Sequence, residues 1–149
     1  MLNHDFREFA ELLNANGAEY LLVGGYALAA YGHPRYTGYI DFWVSVAPPN
    51  VARLLKLFDD FGFASLGLRA HDFNSDTVVQ LGRPPSRIGL LSSIDGVEFD
   101  ACWSRRQTID VDGLALHMIG LDDFKANKRS AGRAKVLADL QALEGPPRD

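Results

Sequence analysis

One cysteine, Cys102, stands in 149 residues. It excludes an internal disulfide, and a single thiolate cannot build a zinc cluster. No histidine sits beside Cys102 to support a thiolate, so a place in the core is the expectation for it. The histidines are equally sparse. His4, His33, His71 and His117 show no metal-ligand spacing. His117 reads as structural, and His33 as either a turn residue or a ligand contact. No apolar run approaches the ~20 residues of a membrane-spanning helix. There is no surplus of positive charge. The formal net charge of -4 argues against broad, charge-driven binding to nucleic acid and leaves room only for a local basic patch. The start, Met1 to Leu13, carries acidic residues and is unlike a signal peptide, so the cytoplasm is the expected location. A Walker loop, a Gly-x-Ser-x-Gly elbow and a zinc motif are all missing. So are repeats, low-complexity tracts and linkers.

What remains is an ordinary globular composition, 47% hydrophobic and 23% charged, in a chain long enough to bury one core. A single domain over 1–149 is the expectation. The most informative stretch runs from Tyr20 to Val46. Tyr20–Val23 reads as a buried strand that runs into Gly24-Gly25. A short apolar helix over Tyr26–Tyr31 follows, then a loop with Gly32, His33, Pro34 and Arg35, then a second strand near Ile40–Val46. Two glycines straight after a strand let the backbone turn sharply and approach a ligand closely. On the second strand, Asp41 sits among apolar neighbours, where a carboxylate is costly unless paired or bound to metal.

Around this stretch, Asp5 to Asn14 places Phe6, Phe9, Leu12 and Leu13 on one helical face, and Asn16-Gly17 stops that helix. Pro48-Pro49-Asn50 introduces a helix over Val51–Phe61 with Val51, Leu54, Leu55, Phe58 and Phe61 inward and Gly62 as its cap. Phe63–Leu68 is ambiguous, and Ala70–Asp76 suggests one helical turn. Strands are expected over Thr77–Leu81 and Arg87–Leu91, separated by a Gly82-Arg83-Pro84-Pro85 turn. After the Asp95-Gly96 turn, Val97–Phe99 reads as extended and Asp100–Arg106 as helical. Asp112-Gly113 joins Thr108–Val111 and Leu114–Met118 in a hairpin. Helices over Leu121 to about Ser130 and Ala134–Leu143 close the chain. Strands mixed with helices give an α/β or α+β domain on one twisted sheet.

The order Gly24-Gly25, short helix, Arg35-Tyr36-Thr37-Gly38, then a strand bearing a carboxylate resembles the nucleotidyltransferase superfamily. The resemblance is nearest to small bacterial proteins related to minimal nucleotidyltransferases and to abortive-infection, toxin–antitoxin nucleotidyltransferases. It implies a short twisted mixed sheet backed by helices, a nucleoside triphosphate ligand, Mg2+, and an RNA or protein acceptor or partner. It also implies that Gly24, Gly25, Arg35, Thr37, Lys128 and Arg133 contact nucleotide, and that the family's Asp-x-Asp falls on Tyr39-Ile40-Asp41. The glycine pair alone reads equally as a tight turn with no ligand.

Two-metal nucleotidyl transfer needs several carboxylates converging from adjacent strands. Alternate strand residues share a face, so Asp-x-Asp aims two acids at one point. Here Tyr39 replaces the first, and Asp41 alone survives as a metal ligand. A family segment resembling Arg-Ile-Asp-Leu-Leu reads Arg87-Ile88-Gly89-Leu90-Leu91, so Gly89 stands where the third acid is expected. A later segment, Asn127 to Asp139, keeps its basic residues but has Val136 in place of an acid. Glycines and basic residues thus remain while three acids are gone, which implies a pseudoenzyme with a degenerate magnesium site. The alternative is an active enzyme in which Glu98 or Asp100, alternating on one strand face, supplies the missing acid. A third reading is a non-enzymatic interaction protein. Lys125, Lys128, Arg129, Arg133 and Lys135 form the only dense basic cluster, which reads as a solvated helix face or as a phosphate contact. One geometric expectation follows. Tyr39 and Asp41 should share a face, with Gly89 opposite them on the neighbouring strand.

Overall fold

The computed structural model describes residues 2–33, 38–62, 67–74, 76–83, 86–132, 141 and 143. The chain runs α1 (His4–Ala15), β1 (Tyr20–Val23), α2 (Gly24–Ala30), β2 (Tyr39–Val44), α3 (Pro48–Phe61), a 3-10 turn (Ala70–Asp72), β3 (Val78–Arg83), β4 (Ser86–Leu91), α4 (Phe99–Ser104), β5 (Gln107–Val111), β6 (Leu114–Met118) and α5 (Leu121–Ala131). The six strands form one mixed sheet in the order β3-β4-β2-β1-β6-β5. β1 pairs antiparallel with β2 and parallel with β6, and β2 pairs parallel with β4. This is an α+β architecture with helices against a short mixed sheet, as the resemblance implied.

Local signals account for most boundaries. Asn3 caps α1, its side chain accepting from the Phe6 N–H at 2.9 Å. Gly62 ends α3 in the left-handed conformation, φ 90. Asp112 and Gly113 both take positive φ, 55 and 84, as a two-residue hairpin turn requires.

The strand alternation of β2 sorts the core. Ile40, Phe42 and Val44 point to one face, where Phe42 meets Phe9 of α1 at a centroid distance of 5.8 Å and Phe9 meets Phe58 of α3 at 6.4 Å. Tyr39, Asp41 and Trp43 point to the other. There Trp43 meets Phe99 of α4 at 5.2 Å, and Phe99 stacks on Trp103. A buried asparagine ties the first layer to the sheet. Asn50 accepts from the Glu19 N–H at 2.7 Å and donates to the carbonyls of Glu19 and Ser45.

Several expectations shift. The second strand is Tyr39–Val44 rather than Ile40–Val46, and α3 starts at Pro48, because proline is well tolerated in a first helical turn. Gly82 and Arg83 belong to β3 instead of a turn, pairing with Arg87 and Ser86. The strand expected over Val97–Phe99 does not form. Phe99 opens α4, with Glu98 as its extended N-cap and Asp100 in its first turn. Phe99 and Trp103 are thereby brought four residues apart on one helical side, where they stack. Leu57, absent from the expected apolar face, is fully buried. Residues 63–66 lie outside the described residues. So does most of the Ala134–Leu143 helix, of which Gln141 and Leu143 are described and helical.

Candidate nucleotide site

The site is assembled where β1 ends and β2 begins. β1 runs without a loop into α2, which starts at Gly24 itself rather than at Tyr26. Gly24 makes this turn with φ +71, a conformation glycine adopts without strain. Antiparallel pairing sets Val23 opposite Asp41, and parallel pairing sets Asp41 opposite Gly89. Asp41 therefore lies between two glycines. A Cβ on Gly24 would stand 2.7 Å from Asp41 Oδ2, and a Cβ on Gly89 would stand 2.5 Å from Asp41 Oδ1. The carboxylate fills the space that side chains at either position would take.

The expected face-sharing of Tyr39, Asp41 and Gly89 is present in this register, with Arg87 opposite Tyr39. Tyr39 is 50% exposed and stands at the rim, while Asp41 is half-buried. Burial pushes the Asp41 carboxyl above the usual range, and the field of Lys128 acts against that rise.

Lys128 reaches this face because α5 is docked from behind. Asn127 Nδ2 donates to the Asp95 carbonyl at 3.0 Å. A side chain on Gly96 in the same turn would run into Ser130. Lys128 is 9% exposed and its ammonium lies 4.9 Å from the centroid of the Phe124 ring. Lys128 is thus not on a solvated face, whereas its neighbour Arg129 is exposed. Arg35, Thr37, Arg133 and Lys135, expected in the same site, lie outside the described residues. Glu98 and Asp100 do not alternate on a strand, so the face that was to deliver either of them as a third acid is absent.

Arg87 and Gln80 were not singled out as site residues. Arg87 is two residues before Gly89 on the same strand face, and its Nη1 donates to Gln80 Oε1 at 3.1 Å. Strand alternation in the Arg87-Ile88-Gly89 segment was the signal that could have found it.

The remaining expectations are simpler. Cys102 is buried, its thiol pushed up to about 11 by burial and by Asp123. Arg105 holds that Asp123 in a two-pronged pair at 3.0 and 2.8 Å. His117 packs against the rings of Tyr20 and Trp103, and burial lowers its pKa.

The described residues of this face do not make up a two-magnesium ligand set. Magnesium needs several oxygen ligands, and among the described residues this face offers one carboxylate, a phenol, a glycine and two cations. Among the described residues, no group of three or more His, Cys, Asp or Glu is close enough to hold a metal ion. None of the described helices is long and apolar enough to cross a membrane.

No protein-family model matches the chain, and no curated protein does. Solved structures do. A candidate nucleotidyltransferase from Thermotoga maritima, TM1012, superposes with a TM-score of 0.63 at 13% identity, covering 95% of this chain and 94% of that one. An antigenic nucleotidyltransferase-like protein from Paracoccidioides brasiliensis superposes at 0.51 with 16% identity, covering 90% of this chain and 69% of that one. The glycine turn, the lone aspartate on β2 and the mixed sheet around them are accordingly built on the nucleotidyltransferase fold.

Proposed function

We propose that this chain is a nucleotide-binding pseudoenzyme, a cytoplasmic protein that keeps the nucleotidyltransferase pocket and has lost two-metal transfer. One observation carries the reading. Gly89 pairs with Asp41 on the shared face, and the space for a side chain at Gly89 is taken by Asp41 Oδ1. With Tyr39 at the rim, a single carboxylate is left to serve a reaction that clamps the attacking and leaving oxygens between two ions. The electrostatic stabilisation on which such catalysis depends most would be largely gone. Lys128, buried beside Asp41, supplies a positive charge where phosphates would lie.

The test pairs binding with transfer. Calorimetry should detect a nucleoside triphosphate with little gain on adding magnesium, and labelled nucleotide should not pass to RNA or protein. Restoring acids sharpens the test. Tyr39→Asp with Gly89→Asp should regain transfer only as the double variant, because three ligands act as a unit. The new side chain at Gly89 requires the Asp41 carboxylate to swing aside. Magnesium should raise the melting temperature of the double variant by binding its folded state alone. Metal-dependent transfer by the unaltered chain would overturn the proposal.

A further inference from the structure

Arg87 carries an unmet demand. Its guanidinium lies on the face of β4 shared with Tyr39, Asp41 and Gly89, and its backbone N–H is fixed to the Gly38 carbonyl at 2.7 Å. One prong of the fork, Nη1, is held by Gln80 on the edge strand. The Nε is buried and has no hydrogen-bond partner among the described residues. Arginine stays charged at every accessible pH and presents donors only. A buried charged donor without an acceptor is unfavourable enough that native structures ordinarily supply one. Within the described residues Arg87 forms no ion pair, whereas Arg105 at the end of α4 has its carboxylate in Asp123.

The chemistry of the missing acceptor follows from the surroundings. Among the described residues, Arg87 and Lys128 bring two cations to the face that carries the Asp41 carboxylate. A planar fork favours a group that accepts two parallel hydrogen bonds, and phosphoryl oxygens do so. Gly82, paired opposite Arg87, carries no side chain to answer the guanidinium, and the space at Gly89 on the other flank is held by the Asp41 carboxylate. We propose that Arg87 is the anion-holding residue of this pocket and takes a phosphoryl group on its guanidinium without a metal ion. The inference rests on the nucleotide-pocket reading only for which phosphate compound is the natural ligand. Arg87 thereby does part of the work that magnesium would do on the acid-bearing version of this face. It draws phosphate to the side of the pocket away from α2.

The experiment is calorimetry of the full chain with inorganic tripolyphosphate in EDTA, with melting curves in parallel. The unaltered chain should bind and should melt higher with the ligand present. Arg87→Gln should weaken binding about tenfold or more, the loss of one charge-assisted contact. Arg87→Lys keeps the charge without the fork and should fall between the two. Because its charge and length are close to native, Arg87→Lys also keeps the test decisive if Arg87→Gln folds poorly. Equal affinity in all three proteins overturns the inference, as does a requirement for magnesium. Tight nucleotide binding with magnesium, but none of tripolyphosphate in EDTA, would remove the role of Arg87 and leave the pocket reading standing. Tripolyphosphate binding that depends on Arg87, with no affinity for nucleotides, would do the reverse.

Discussion

The two faces of β2 are made from the same six residues and obey opposite rules. On one face, Ile40, Phe42 and Val44 are buried, and Phe9 bridges them to α3 through Phe58 and Phe61. Its buried polar groups, Asn50 and the Tyr20 hydroxyl, are hydrogen-bonded. On the other face, Trp43 is packed by α4, but Asp41 is held between two glycines and Arg87 carries an unanswered donor. The first face is saturated internally. The second leaves the Arg87 Nε without a partner among the described residues, and the proposed anion site rests on that difference.

Breaking the saturated face should cost most. Phe9→Ala empties the centre of the aromatic contacts between α1, β2 and α3. It should destabilise the fold by about 3–5 kcal/mol, read from denaturant midpoints. A loss below 1 kcal/mol would mean that the two faces are not so unequal. Gly24→Ala attacks the other face at its turn. It forces a side chain into φ +71 and against Asp41 Oδ2. A loss of about 1–3 kcal/mol is expected, with reduced nucleotide affinity because Asp41 must move.

The third change reverses the sign. Burial raises the Asp41 carboxyl above its unfolded value, so its contribution favours folding below the unfolded pKa and is lost as pH rises through the folded one. At pH 7 the ionised group opposes folding. Asp41→Asn should therefore raise the melting temperature near neutrality, and the gain should shrink as pH falls toward 4. A variant less stable than the parent at pH 7 would show that Lys128 compensates the charge fully. The smallest effect belongs to His117, whose pKa is lowered by burial first and by Arg106 second. Its contribution is present above about 6.5 and is lost as pH falls through the lower folded value. His117→Gln should flatten the decline in stability below pH 6 and leave neutral stability nearly unchanged. Parallel melting curves from pH 5 to 7 would decide it.

Much of the architecture was legible because its signals are local. The continuous apolar run Tyr20–Val23, the Asp112-Gly113 turn, the Gly62 cap and the apolar stripe of α1 each depend on neighbours within a few residues. The place of Gly89 opposite Asp41 was also expected, because a family pattern fixes that register. Local reading failed at Val97–Phe99. Glu98 stays extended as the cap, while Phe99 opens α4, where it stacks on Trp103 and meets Trp43. That contact joins residues 56 apart in the chain, and no window of sequence contains it.

The sequence by itself determined that Tyr39 and Gly89 stand where the resembled pattern carries acids. It also determined the turn, since only Gly24 and Gly25 follow that strand. The tertiary structure decided what surrounds those positions. Burial of Lys128, the squeeze on Asp41 from Gly24 and Gly89, and the orphaned Nε of Arg87 arise where α5, β1, β2, β3 and β4 meet. Charge, desolvation and steric fit depend on distance in space, and for these residues that distance is set by strand pairing and helix docking between segments far apart in the chain.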